Sequence, residues 1–440
     1  MAERRRLHLG IDYGTSTSKI VVRDFGAPGG EIARVAGFQG GYRFPSSVAI
    51  AENKLFLGCT PENAEVRDAQ WFHSVKMRVA GECKGDMGRY FYGPISKFPN
   101  GLTARDLAAL TIWWLISEGN RAGTAMIKGS TVALGMTLGI PMSFYMDLQL
   151  RQEFLFIARA AWRLFRDVGP LASPAVLSIS DTISRLKAGF SSIRAANIPA
   201  ESIRDWVRSE AEAAMWWAFQ SPAIPPGTYA KIDIGAGTTN SSLFRVFERS
   251  QDGRWTKTGI AFFGAASSPV GMDSVDVALN RYLGRATQEY AQLRGQEDDL
   301  LKDGAAFRAC QTSVKGIVSA LRQAWQQVHE RLGGYVGRER DWRSSPAFVI
   351  GGGSLVRPIR VAVPIYPFDY TIRLPIAAIE CPSDLRDEKG EPIAAHDLLF
   401  VLVAYGLSQL GLSIPQVNTP NEIVPLPPMR RQPFVDYEDM

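Results

Sequence analysis

The chain has 440 residues, of which 46% are hydrophobic and 21% charged, with a net charge of +5. That length exceeds one ordinary core, so two domains or one bilobal unit is expected. The positive balance is spread along the chain apart from Arg4, Arg5 and Arg6, which gives no footing for nucleic-acid binding. Cys59, Cys83, Cys310 and Cys381 lie far apart without a C-x-x-C pair, which argues against a zinc or disulfide frame and for a reducing compartment. The longest apolar run, Leu107 to Ile116, is about half the roughly 20 residues a membrane span needs. No apolar stretch follows the first arginines, so no leader peptide, no membrane partner and a cytoplasmic location are expected.

In chain order, residues 7–25 read as a β-hairpin around LGIDYGTSTSKIVV. A Gly-rich stretch leads to two short strands joined at Glu52 and Asn53. Lys76 follows in a polar-apolar mixture. Thr103, with Asp106 three residues on, opens a helix carrying an apolar stripe through Ile116. Residues 131–140 have β character and stop at Pro141, and residues 147–166 are helical. The Pro- and Ser-rich stretch 167–205 reads as an inserted connection with a short helix near 181–194, and residues 201–219 as a helix. A buried strand from Tyr229 carries a second motif, IDIGAGTTNSSLF, and continues as a hairpin turning at Asp252 and Gly253. Helices and charged turns alternate over 285–340. The strand AFVI, the glycine turn at Gly351 to Ser354 and a helix start follow. After mixed strands, an apolar helix is expected at 397–412, and 413–440 reads as a Pro-rich, extended tail.

The chemistry is concentrated in the two Asp-Gly-Thr segments. In each, an apolar strand reaches an aspartate, at 12 and at 233, and turns on glycine beside hydroxyl residues. The carboxylate suits a cation, while the turn offers backbone N–H groups and short hydroxyls to an anion. One copy is equally an ordinary hairpin turn. Two copies, with a third glycine turn at Gly352 that follows a strand and starts a helix, indicate a duplicated α/β unit with phosphate loops facing one cleft.

These residues resemble the actin-like ATPase superfamily, and within it the nucleotide-binding domain of DnaK-type 70-kilodalton heat-shock chaperones, over roughly residues 7–412. Asp12-Tyr13-Gly14-Thr15-Ser16 resembles the first phosphate motif, Asp233-Ile234-Gly235-Ala236-Gly237-Thr238 the second, and Gly352-Gly353-Ser354 with Pro358 the adenosine motif. Gly271 to Asp276 and Val403 to Gly406 are similar to two further family segments. The resemblance implies a bilobal α/β fold of two ribonuclease-H-like subdomains flanking a nucleotide cleft. Lobe I would span 1–230 with the insertion at 167–205 and be closed by the C-terminal helix; lobe II would span 231–396.

The resemblance also implies ATP or ADP with Mg²⁺ in the cleft, with Asp12, Asp233 and Asn240 toward the metal. Gly14, Thr15, Ser16, Gly235, Gly237 and Thr238 would cradle phosphates; Gly271, Lys315, Gly352, Gly353 and Ser354 would border the nucleoside side. Lys76 would offset charge on the terminal phosphoryl group, Glu210 would orient or deprotonate water, and Asp233 and Thr238 would join them in hydrolysis. Asn240 stands where the family has a second aspartate, which implies slow turnover. A peptide-binding domain does not follow, so the expected role is a weak ATPase coupling nucleotide state to a protein partner. A filament-forming or cell-division scaffold and a small-molecule kinase of the same superfamily are the alternatives.

Overall fold

The computed structural model describes residues 4–60, 66, 68–90, 97–127, 131–195, 206–221, 224–251, 254–285, 296–332, 342–409 and 416–422. It is a mixed α/β structure, and strands are numbered below in chain order. Strand β1 (Arg4–Asp12) pairs antiparallel with β2 (Thr17–Asp24), which pairs antiparallel with β3 (Ile32–Val35). On its other edge β1 runs parallel to β8 (Thr131–Ile140), and β8 parallel to β10 (Val207–Ser209). The order β10-β8-β1-β2-β3 is thus one parallel half joined to one antiparallel half.

A second sheet repeats that scheme. Strand β11 (Gly227–Ile234) pairs antiparallel with β12 (Thr239–Gln251), β12 antiparallel with β13 (Arg254–Ser268), and β11 parallel with β14 (Ala347–Ile350). The central strand of the first sheet ends on Asp12, and that of the second ends one residue past Asp233. Both segments are apolar enough to be buried on two faces, as central strands must be. The residues of the β12–β13 turn, Asp252 and Gly253, lie outside the described residues.

Helices cover these sheets. The Ala104–Met126 helix begins with a capping box between Thr103 and Asp106, as the S/T-x-x-acid pattern predicts. It buries Trp114 edge-on to Phe38 and Phe44, at 5.7 and 5.8 Å between ring centroids. The Ala395–Leu407 helix is wedged between β1 and the Glu210–Gln220 helix. A Cβ on Gly406 would lie 1.9 Å from the Ala213 carbonyl oxygen, so only hydrogen fits there. On the second sheet, Ala230, Ile232 and Ile234 pack against the Gln311–Leu332 and Met272–Tyr282 helices. The opposite face of β11 carries Tyr229, Lys231 and Asp233, by the period of two. Here Tyr229 stacks on Phe348, and Phe348 meets Trp217 of the Glu210–Gln220 helix edge-on. Among the described residues no helix is long and apolar enough to cross a membrane.

Five expectations need correction. Part of the 167–205 connection is built into the fold. Strand β9 (Ala175–Ser178) pairs antiparallel with β6 (Lys54–Leu57), and β6 with β5 (Val48–Ala51), whose Glu52-Asn53 turn is left-handed at both residues. The strand is only four residues long and exposes Val176, so alternation there is too brief to read. The helix after it spans Ile179–Ala195, longer than expected; residues 196–205 lie outside the described residues, and the helix expected over 201–219 is Glu210–Gln220, because Val207–Ser209 pairs with β8 as strand β10. The C-terminal helix is Ala395–Leu407 rather than 397–412, because the chain turns at Ser408, whose hydroxyl donates to the Tyr405 carbonyl. The tail is not wholly extended and unpaired: β16 (Gln416–Asn418) runs parallel to Gly259–Ala261 of β13, while 423–440 lies outside the described residues.

Candidate functional site

The two hairpins bring their aspartates to one place. At the first, β1 stops at Asp12 and β2 resumes at Thr17, so Asp12 and Lys19 face each other across the pair. At the second, Gly235 N–H donates to the Thr238 carbonyl at 2.8 Å, closing the turn, and Asp233 faces Asn240. Strand β14 ends at Ile350 beside Asp233, and the chain reverses at Gly351 with φ +81°. A side chain there would lie 2.5 Å from Asp233 Oδ1, so glycine is required both by conformation and by space. The short turn Gly352–Leu355 follows.

These three turns converge on a cavity of about 340 Å³. Its floor holds Asp12, Gly14, Thr15 and Ser16 from the first hairpin, and Asp233, Gly235, Thr238 and Asn240 from the second. Lys76 and Glu210 reach it from helix starts, and Gly352 and Gly353 line it beside the end of β11. Lys76 is the second residue of the Val75–Lys84 helix, preceded by Ser74 in the left-handed region at φ 55°. That turn sends a lysine inward: its ammonium donates to the Tyr13 carbonyl at 2.7 Å and pairs with Glu210, and both side chains are buried. Glu210 is the first residue of its helix, where Ser209 accepts from Ala211 N–H at 3.1 Å and the helix end favours a carboxylate. Burial raises the Glu210 carboxyl pKa, Lys76 opposes that shift, and the Asp12 and Asp233 charges add to it.

Four residues read as site residues line no part of the cavity. Lys315, expected beside a nucleoside, is exposed on the Gln311–Leu332 helix and does not line the cavity; the stripe that buries this helix (Val314, Ile317, Val318, Leu321) turns position 315 outward. Gly237, Gly271 and Ser354 act one layer back. A Cβ on Gly237 would lie 2.7 Å from the Thr15 methyl, and one on Gly271 would lie 2.3 Å from the Ala236 carbonyl oxygen. The Ser354 hydroxyl donates to the Gly351 carbonyl at 2.7 Å. They shape the turns that line the cavity.

Further residues line the cavity. Arg43 places its guanidinium 3.9 Å from the Phe400 ring centroid, and Asp276, Glu297 and Asp298 also line the cavity. Lys19 is in the cavity, 3.4 Å from Asp12. Its position was recoverable from the sequence, since residues flanking a short hairpin turn face each other. No local signal marks Phe400.

The cation-facing groups are already paired. Asp12 meets Lys19 at 3.4 Å, Asp233 meets the buried Lys231 at 3.2 Å, and Glu210 meets Lys76. Among the described residues, no three or more His, Cys, Asp or Glu side chains form a group that could hold a metal ion. This donor set does not fit a resident Mg²⁺, which asks for free carboxylates around its remaining waters. No protein-family model matches the chain, and no curated protein matches it significantly.

Proposed function

We propose that the protein binds ATP and ADP in this cavity and is a slow ATPase whose nucleotide state is passed to a partner protein. The observation that carries the reading is the convergence of two like hairpins, each ending on an aspartate and a Gly-Thr turn, on one cavity closed by the Gly351–Ser354 turn. The repeated strand order, one parallel half and one antiparallel half in both sheets, supports a bilobal actin-like architecture built of two ribonuclease-H-like halves. It supports the division into lobe I, about 1–230 with the C-terminal helix, and lobe II, about 231–396.

In this reading the Gly14–Ser16 and Gly235–Thr238 turns present N–H groups and hydroxyls to the phosphates, and Lys19 and Lys76 supply charge. The Gly352-Gly353 turn lets the nucleoside approach the backbone closely. Lys76, fixed between Tyr13 and Glu210, offsets charge on the terminal phosphoryl oxygens as the bond to the bridging oxygen breaks. Water forms the new bond to phosphorus, and its proton passes to Glu210, leaving ADP and orthophosphate. The raised pKa suits Glu210 to accept that proton, while its ion pair with Lys76 resists the transfer, so turnover is slow.

The test is ligand-induced thermal stabilisation of the wild-type chain and Gly352→Leu. Gly352 lines the cavity and has one near contact, Phe400 Cε1 at 3.3 Å from a built Cβ, so leucine fills the cavity rather than the core. ATP and ADP raise the wild-type midpoint and leave the variant unmoved. A wild type that neither nucleotide stabilises overturns the reading, and a variant that responds fully displaces the site.

A further inference from the structure

Resting on the nucleotide reading above, we propose that Lys19 and Lys231 stand in for a divalent cation, so that this cavity binds the polyphosphate of ATP without metal. The argument begins with the register of the two hairpins. Lys19 lies across the strand pair from Asp12, and Lys231 lies two residues before Asp233 on the same face of β11. Both ammonium groups are therefore delivered by regular β geometry, on rigid central strands rather than on loops.

The three carboxylates at the phosphate end are matched one to one: Asp12 by Lys19, Asp233 by Lys231, Glu210 by Lys76. The two added lysines have different duties. Lys19 lines the cavity and also donates to the Thr17 carbonyl at 3.1 Å, which holds its ammonium at the mouth of the first phosphate turn. It meets the ligand. Lys231, with 1% of its surface exposed, does not reach the cavity. It sits behind Asp233 and beside a separate void of about 10 Å³ shared with Glu210, Asn240 and Ser267. There it cancels the Asp233 charge from inside.

A bare carboxylate beside a triphosphate repels it, and a divalent ion ordinarily bridges the two. Here that repulsion is removed by ammonium groups fixed by the fold. Asn240, across from Asp233, adds a neutral amide where a fourth negative charge would call for a cation. A divalent ion entering this cluster would have to displace Lys19 from Asp12 and sit near three ammonium groups, in a region whose carboxylates are already compensated.

The experiment measures equilibrium binding of ATP to the full chain in excess EDTA and in excess Mg²⁺, with the same titrations on Lys19→Gln and Lys231→Met. The wild type is expected to bind with affinities within about threefold of each other in the two buffers. Each variant is expected to lose about tenfold or more in EDTA and to regain most of it in Mg²⁺, because a bare aspartate then faces the phosphates. Wild-type binding that needs Mg²⁺ overturns this proposal and leaves the nucleotide reading standing. Absence of binding in both buffers overturns the nucleotide reading and this one with it. Variants that bind as the wild type does in EDTA remove the role of the lysines, and if a variant fails to fold, the wild-type ratio alone decides.

Discussion

Replacing Lys76 by methionine keeps much of the side-chain volume and removes the ammonium that compensates Glu210. Both partners are almost fully enclosed, with side-chain exposures of 4% and 6%. The variant therefore leaves a carboxylate buried beside Asp12 and Asp233, and losing one partner of a buried pair costs about 3–5 kcal/mol. The penalty depends on pH. Glu210 has a folded pKa raised first by burial, and Lys76 is the main group opposing that rise, so in the variant it climbs further. A carboxyl with a raised folded pKa contributes stability below its unfolded value and loses it as pH rises through the folded value. The deficit of Lys76→Met is thus largest where Glu210 is ionised in the fold and shrinks as pH falls through its raised folded pKa. Urea unfolding followed by tryptophan fluorescence at several pH values measures it. The double variant Lys76→Met/Glu210→Leu removes both charges and is expected to recover to within about 1 kcal/mol of the wild type. A deficit below about 1 kcal/mol that does not vary with pH would refute the argument.

Two further outcomes follow from the fold. Gly406→Ala forces a methyl against the Ala213 backbone and separates the Ala395–Leu407 helix from the Glu210–Gln220 helix, with an expected loss of about 3 kcal/mol in urea unfolding. His8 is held neutral by burial, with Arg208 and Arg23 adding to the effect, and its pKa is lowered to about 3. Its share of stability is present above the unfolded value and drains as pH falls from ~6.5 toward ~3, at up to about 1.4 kcal/mol per pH unit. His8→Gln, whose amide can still reach the Thr137 hydroxyl, flattens that acid limb in the same unfolding measurement.

What was legible in the sequence was what short-range geometry determines. Both aspartate hairpins, the Thr103 helix start and the Glu52-Asn53 turn are specified by residues within a few positions of one another, and each stands where the pattern places it. The convergence of Asp12 and Asp233 was read from motif repetition, and both residues line one cavity. Long-range pairings were less visible. Nothing local announces that Ala175–Ser178 completes a sheet with Lys54–Leu57, because a four-residue strand carries too few alternations to stand out among serines and prolines. Lys315 was placed by resemblance, and its helix buries a different stripe. The pairing of Lys19 with Asp12 and of Lys231 with Asp233 was written in the strand period, but becomes meaningful only once both sheets meet at one cavity.

The central claim is that this cavity takes one nucleotide. Isothermal titration of the full chain with ATP, followed by displacement with ADP, tests it directly. One saturable site per chain, with ADP competing for the same site and Gly352→Leu silent, is the predicted result. Heats of dilution alone for both nucleotides, with and without Mg²⁺, would contradict it.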